Sequence, residues 1–547
     1  MNRAEKRRRK KLAKRSGLPD PHIAMLLKQG YAAYQAGNLQ AAKTRYQQIL
    51  QKDGRQPDAM YLLGVVALET GRPDIAVKLI GDALRIRPGL DGARGYYGDA
   101  LRRCERWQEA VDQYEKARRK DPENTVLIGN LGLALTGLRR FDEAEAAFDE
   151  ALRLRPDFYK AKFALGNVYH EQRRLQDAVA MYREAIALRT DDPGCHISLG
   201  NALRDLGRLN EAAAAYQTAS ECEAESEAKG FLAALELTQG HFDTGWEGYQ
   251  TRPNIPDADR YPGLRDKPWR GEDLTDKTIA VLAEQGIGDE IMFATQFADL
   301  KAMGCRVTVE CDARLLPLYQ RVFADWTFVA KSDPPNSVLN AGDFDFAIPL
   351  GSLAQSLRPG FDAFPRQASF LKADGARTKQ LRERYREWSK GKPVIGISWR
   401  SANKGIMARK SIDLVRWAPI VAQPDFTFLS LQYGDVQEDL MELEKACGVQ
   451  VLLDPDIDPL TDMDAAAAQI AAVDGILSIS NATVHLAGAL GVPVWVLLSH
   501  VPDWRWFLDR DDSPWYQSVR LYRQPAPEDW DSVLDLVAQD LKTGKLV

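Results

Sequence analysis

The sequence predicts an all-α solenoid of helix pairs followed by an α/β region built as two doubly wound halves. Two observations predict it. Glycine recurs at Gly30, Gly64, Gly98, Gly132, Gly166 and Gly200, always 34 residues apart, in a chain of 547 residues. Past a proline-rich hinge the pattern changes to short apolar runs alternating with amphipathic segments, the mark of parallel strands joined by crossover helices.

A small residue stands twelve positions after each glycine, at Ala42, Ala76, Ala110, Ala144, Ala178 and Ala212. Seven positions later come Ala83, Ala117, Ala151, Ala185 and Ala219, with Ile49 in the first unit, and Pro88, Pro122 and Pro156 close three of the units. Glycine and alanine let antiparallel helices approach closely, and proline stops the second helix before the next unit begins. This pattern resembles the tetratricopeptide repeat, whose stacked helix pairs form a binding surface. Tyr46, Tyr114, Phe148, Tyr182 and Tyr216 share one repeat position and are expected in the core between paired helices. The resemblance puts the residue after the repeat glycine on the groove-facing helix. Asp99, Asn167 and Asn201 hold that position, and Asn130 lies one turn away in its own unit. Such side chains suit hydrogen bonding to the backbone of an extended protein substrate, or simply solvate the groove. The pattern decays after Ala224, as at a terminal cap or a domain junction.

Composition limits the remaining options. Hydrophobic residues at 45% and charged residues at 27% are ordinary for a globular chain, and the net charge of -5 argues against general nucleic-acid binding. Six scattered cysteines without a CxxC indicate neither a zinc site nor a disulfide frame. No apolar run approaches a membrane span and no signal-peptide core is present, so a cytoplasmic protein is expected. A basic arm from Arg3 to Arg15, with nine Lys or Arg against one Glu, reads as a solvated tail.

The hinge, Thr251 to Asp276, carries Pro253, Pro256, Pro262 and Pro268. Beyond it the expected strands are Thr278–Ala283, Arg306–Cys311, Phe344–Pro349, Val394–Trp399, Thr427–Leu431, Val449–Leu453, Gly475–Ser478 and Pro493–Leu498. A break rich in Lys, Arg and Gly at 373–392 divides them. The boundaries are therefore a basic tail at 1–20, a solenoid at 21–250, a linker at 251–276, a first half at 277–375 and a second half at 390–547. Two stacked doubly wound halves put a ligand site in the cleft between them.

Three stretches carry chemistry. In the first, a strand ends near Glu284, Gln285 follows, Gly286 and Gly288 form a tight turn, and a helix starts near Asp289. Strand ends face the cleft in open α/β sheets. Asp289 suits either a helix N-cap or a general base that takes the proton of an acceptor hydroxyl. In the second, the strand into Trp399 and Arg400 runs on to a loop with Lys404, Arg409 and Lys410, which suits a pyrophosphate or is a solvated charge run. In the third, Ser480, Asn481, Ala482 and Thr483 form a polar turn at the start of a small-residue helix, where phosphate binds well. Gly488 lets that helix pack on its sheet, and His485 is either structural or in contact with a phosphate or leaving group.

Glu284 to Asp289, Trp399-Arg400, Ser430-Leu431-Gln432 and His485 to Gly491 resemble the C-terminal region of bacterial tetratricopeptide glycosyltransferases related to heptosyltransferases. Trp246 to Tyr249 and Pro502 to Trp506 are similar to that group as well. The likeness covers about residues 240 to 525. It implies a GT-B fold of two Rossmann-like halves, with the acceptor mostly in the first and a nucleotide sugar mostly in the second. It implies Asp289 as catalytic base, donor-phosphate contact by Lys404 or Lys410, and Gln432 on the donor side. It also implies chemistry without a metal, and no DxD is evidently placed to hold one at a diphosphate. One departure stands out: Ser480-Asn481 occupies the place of the usual Asp-Thr, which removes a carboxylate at the donor.

The function expected on these grounds is transfer of a sugar from a nucleotide carrier to Ser or Thr of a protein held by the repeats. The layout is similar to O-GlcNAc transferase, and flagellin is the acceptor suggested for the bacterial group. Two alternatives remain: an interaction protein with an inactive transferase region, and a transferase acting on a glycan or lipid-linked acceptor.

Overall fold

The computed structural model describes residues 20–222, 227–252, 255–256, 260–284, 286–364, 366–401, 410–544 and 546. The chain divides into two compact units, one ending at Asp191 and the other beginning at Asp192.

The first unit is five helix pairs, from Pro21–Gln35 with Leu39–Lys52 to Tyr159–Glu171 with Leu175–Leu188. The 34-residue ruler has a direct steric cause. A β-carbon on Gly98 would lie 2.6 Å from the Tyr114 ring, and one on Gly166 would lie 2.6 Å from the Tyr182 ring. Any side chain there would push the paired helices apart. Ala76, Ala110, Ala144 and Ala178 are fully buried along the same seams.

The second unit opens with two further helix pairs, Pro193–Asp205 with Leu209–Cys222 and Ala228–Thr238 with Phe242–Tyr249. The last pair continues the helical pattern after the 34-residue signature has faded. Two parallel sheets follow. The first comprises β1 (Thr278–Leu282), β2 (Arg306–Cys311), β3 (Thr327–Ala330) and β4 (Phe346–Pro349), in the order β3-β2-β1-β4. The second comprises β5 (Val394–Ser398), β6 (Thr427–Ser430), β7 (Gly475–Ile479), β8 (Val494–Leu498) and β9 (Val519–Arg523), in the order β6-β5-β7-β8-β9. All neighbours are parallel, with Ile279 opposite Val307 and Ile395 opposite Phe428. Strand order reverses between β1 and β4 and between β5 and β7. The crevices outside the carboxyl ends of these strands are where such sheets bind ligands.

One hydrophobic core joins Leu237, Phe242, Trp246 and Tyr249 of the last helix pair to both sheets. Trp246 is held by its indole N–H on the Arg358 carbonyl, at 2.8 Å. The expected strand at Val449–Leu453 is corrected to a single bridge between Leu429 and Leu452. It lies beyond edge strand β6, and Pro455 follows closely. Two strands were not anticipated: β3 is only four residues long, and β9 is an edge strand interrupted by the part-buried Arg520 and Arg523. The basic break at 373–392 contains a 14-residue helix, Gly375–Trp388, capped by Asp374 and docked through Leu381 and Tyr385. No described helix is long and apolar enough to cross a membrane.

Candidate functional site

Gly286 takes the N-cap of the helix Ile287–Phe293, which corrects the reading of Asp289 as the cap. Asp289 is the third helical residue, and its carboxylate points away from the helix end into a salt bridge. Arg505 reaches it with Nε at 2.6 Å and a terminal guanidinium nitrogen at 2.5 Å. Arg505 belongs to the short turn Trp504–Trp506, after β8 in the second half. The charge pair thus spans the facing ends of the two sheets.

Gly288 makes the approach possible. A β-carbon there would lie 3.2 Å from His485 Cδ2 and 3.5 Å from Ala482 Cα, so the two helix starts touch through bare backbone. His485 is buried, stacks on Trp506 at 5.3 Å between ring centres, and has Nδ1 3.0 Å from the Tyr516 hydroxyl. Burial, reinforced by Arg505, pushes its pKa down to about 3. The ring is therefore held neutral, and any contact it makes with a phosphate or leaving group is as a neutral hydrogen-bond partner.

Asp503 continues the charge chain. Arg505 lies 3.6 Å from its Oδ1, and Lys410 Nζ forms an ion pair with its Oδ2. Burial opposes ionisation of Asp503, but Lys410 and Arg505 outweigh it and hold its pKa far below the usual carboxylate range. Ser480 sits beside this pair, its oxygen accepting from Trp506 Nε1 at 2.8 Å and from Lys410 at 3.4 Å. Lys410, Ser480, Ser499, Asp503 and Trp530 line a cavity of about 10 Å³ at the carboxyl ends of β7 and β8, room for one water.

Several of the expected donor residues hold protein partners. Asn481 caps the helix Ala482–Leu490 by accepting from the Thr483 N–H at 3.1 Å, while its amide donates to Ser398 Oγ at 2.7 Å. It therefore ties β7 to β5 across the strand-order reversal. Gln432 Oε1 gathers the Ser398 hydroxyl and the Trp399 and Arg400 N–H groups at 2.9–3.0 Å. Arg400 pairs with Asp439 at 2.8 Å, and the buried Trp399 donates to the same carboxylate at 3.1 Å. A β-carbon on Gly488 would meet the Tyr516 ring at 2.5 Å, so that glycine seats the tyrosine. Glu284, expected on the acceptor loop, is buried in a fork with Arg252 at 2.5 and 2.6 Å and accepts the Gly351 N–H. Gln285, Lys404, Arg409 and residues 1–19 of the basic tail lie outside the described residues.

The groove candidates have structural partners too. Asp99, Asn167 and Asn201 accept the hydroxyls of Tyr114, Tyr182 and Tyr216 at 2.6–2.8 Å, and Asn130 donates to Asp99 at 2.8 Å. Each buried phenol is thereby satisfied from the neighbouring helix. Where that position carries no hydroxyl the acceptor is absent as well: Leu133 stands with Phe148, and Val65 with Ile80. Tyr46, opposite Tyr31, has a buried hydroxyl without a partner among the described residues.

Glu290, next to Asp289, provides a pH readout of this region. Burial raises its pKa from 4.5 to about 7, against the pull of the Asp312 N–H at 2.8 Å. A carboxyl whose pKa rises on folding stabilises the protein while protonated and loses that contribution as pH climbs through the folded value. Denaturant unfolding should show Glu290→Gln gaining on the wild type between pH 5 and pH 8, by up to about 3 kcal/mol. A constant difference across that range would contradict the assignment.

Models of the tetratricopeptide repeat match residues 27–91, 130–193 and 169–235. Protein FlbA of Caulobacter vibrioides is 32% identical over 350 residues, which are 59% of this chain and 58% of that protein. The match thus spans less than two thirds of that relative's length. Among solved structures, MamA from Desulfovibrio magneticus RS-1 is 18% identical, covers 31% of this chain and 97% of its own, and has a TM-score of 0.29. Pseudomonas aeruginosa pilF is 20% identical, covers 39% of this chain and 97% of its own, and has a TM-score of 0.34. The N-terminal part of the chain is accordingly a tetratricopeptide-repeat array, and it is followed by an α/β region of two parallel sheets.

Proposed function

We propose that this chain is a cytoplasmic protein O-glycosyltransferase of GT-B type, in which the repeats hold a protein acceptor and the α/β cleft takes a nucleotide sugar. The observation that carries the reading is the meeting of Asp289, on the first sheet's carboxyl end, with Arg505, Asp503 and Lys410 on the second. A carboxylate facing buried cations across two doubly wound sheets is what transfer from a phosphate leaving group requires. Asp289 takes the proton of a Ser or Thr hydroxyl, the oxygen bonds to the anomeric carbon, and the bond to the donor phosphate breaks with its electron pair on the nucleotide. Lys410 and Arg505 stabilise that departing charge. Neutral His485 and Tyr516 shape the floor between them. Flagellin is the acceptor we favour, on the family resemblance and on the likeness to FlbA.

A second reading, an interaction protein with an inactive α/β region, draws on one observation: Asn481, Gln432 and Arg400 are each occupied by protein partners. Thermal unfolding with UDP, GDP, ADP and CMP separates the two. A nucleotide at a hundred times its dissociation constant adds about 2.7 kcal/mol, and the shift should shrink in Lys410→Gln. No shift with any nucleotide at millimolar concentration would favour the scaffold. A glycan or lipid-linked acceptor is a third reading, distinguished by transfer that survives deletion of the repeats preceding Asp192.

A further inference from the structure

Asp289, Arg505, Asp503 and Lys410 form a line of alternating charge whose formal charges sum to zero. Their side chains are only 20%, 18%, 14% and 12% exposed, so screening by water is weak along the whole line. A guanidinium and an ammonium in such a place are ligands for phosphate oxygens, the first with a planar fork. Both are already engaged by carboxylates. The cavity beside Lys410, about 10 Å³, has room for one water, and a diphosphate held by both Lys410 and Arg505 takes the places their carboxylates now occupy.

The anchoring of Arg505 allows such a displacement. Its carbonyl accepts from Trp515 Nε1 at 3.1 Å, its N–H is held by Asp503 Oδ1 at 3.2 Å, and its guanidinium lies over the Trp504 ring at 4.7 Å. The backbone is fixed while the end of the side chain rests on an aromatic face, where a swing breaks ion pairs without unpacking the core.

We propose that this line is an anion-exchange site: an incoming diphosphate takes Arg505 and Lys410 from Asp289 and Asp503, and the exchange frees Asp289 to act as a base. Arg505 then has two roles, holding the base inactive until the donor is seated and binding the diphosphate once it is. Acceptor hydroxyls are activated only behind a bound donor. The inference rests on the reading of the cleft as a nucleotide-sugar site.

Calorimetric titration of the full chain with inorganic pyrophosphate tests it. Asp289 and the anion compete for one guanidinium, so Asp289→Asn should bind pyrophosphate about tenfold more tightly than the wild type, and Arg505→Gln about tenfold more weakly. Asp503→Asn should tighten binding as well, which keeps the test available if one variant folds poorly, and melting midpoints establish that each variant is folded. Equal affinity in wild type, Asp289→Asn and Asp503→Asn overturns the exchange and leaves the transferase reading standing. Failure of every variant to bind pyrophosphate overturns both. A general structural lesion in Asp289→Asn would weaken binding, the opposite of the result expected.

Discussion

Asp289→Asn will reduce sugar transfer by a factor of about 10² to 10⁴, the range by which a positioned general base accelerates proton transfer. The substitution keeps the volume and one oxygen, so the close approach of the two helix starts at Gly288 is left untouched while the proton acceptor is lost. It also leaves Arg505 facing an amide where a carboxylate stood 2.5 Å away, with Asp503 as the remaining counter-charge. Some loss of stability is therefore expected together with the loss of rate, and the two are separable. Rates measured below the melting transition should stay low while pyrophosphate affinity rises. A variant that keeps wild-type transfer would show that the base lies elsewhere.

Glu284→Ala will destabilise the second unit by about 3–5 kcal/mol, the cost of stranding one member of a buried ion pair. Arg252 loses both guanidinium contacts to Glu284, and the Gly351 N–H loses its acceptor. Arg252 also donates to the Tyr249 carbonyl at 2.9 Å and lies over the Tyr249 ring, so the pair fastens the end of the last helix pair to the first sheet. Chemical denaturation gives the magnitude. Removing both partners in Arg252→Met with Glu284→Met should recover part of the loss, since no uncompensated charge remains. An effect below 1 kcal/mol would mean that water readily replaces the contact.

Much of this architecture is legible in the sequence because it follows from sterics that repeat. The glycine ruler marks where a tyrosine or isoleucine ring or branch presses on the partner helix, and the central strands show as apolar runs bounded by turns. Edge strands such as β3 and β9 escape because they are short or half polar. The site is legible only in part. Asp289 stands out beside glycines at a strand end, but the Ser480–Asn481 turn, Gln432 and Glu284 look alike by residue type whether they meet a ligand or a backbone amide. Their partners, Ser398, Arg252 and Gly351, lie too far away in sequence to be paired by spacing. Arg505 and Asp503 belong to a stretch without periodicity, which stands out only through the family resemblance of Pro502 to Trp506 and without a role for either residue. The polar residues of the repeats carry a clearer hint: Asp99, Asn167 and Asn201 stand opposite Tyr114, Tyr182 and Tyr216 and have no counterpart opposite Phe148 and Ile80, Tyr46 being the exception.

The measurement that bears most directly on sugar transfer is the intact mass of an acceptor protein, flagellin first, after incubation with the chain and each nucleotide sugar whose nucleotide raises its melting point. The account predicts a mass gain of one or more sugar residues with one donor, lost in Asp289→Asn. A nucleotide that binds while no acceptor gains mass would contradict it, and would leave the α/β region as a nucleotide-binding part of an interaction protein.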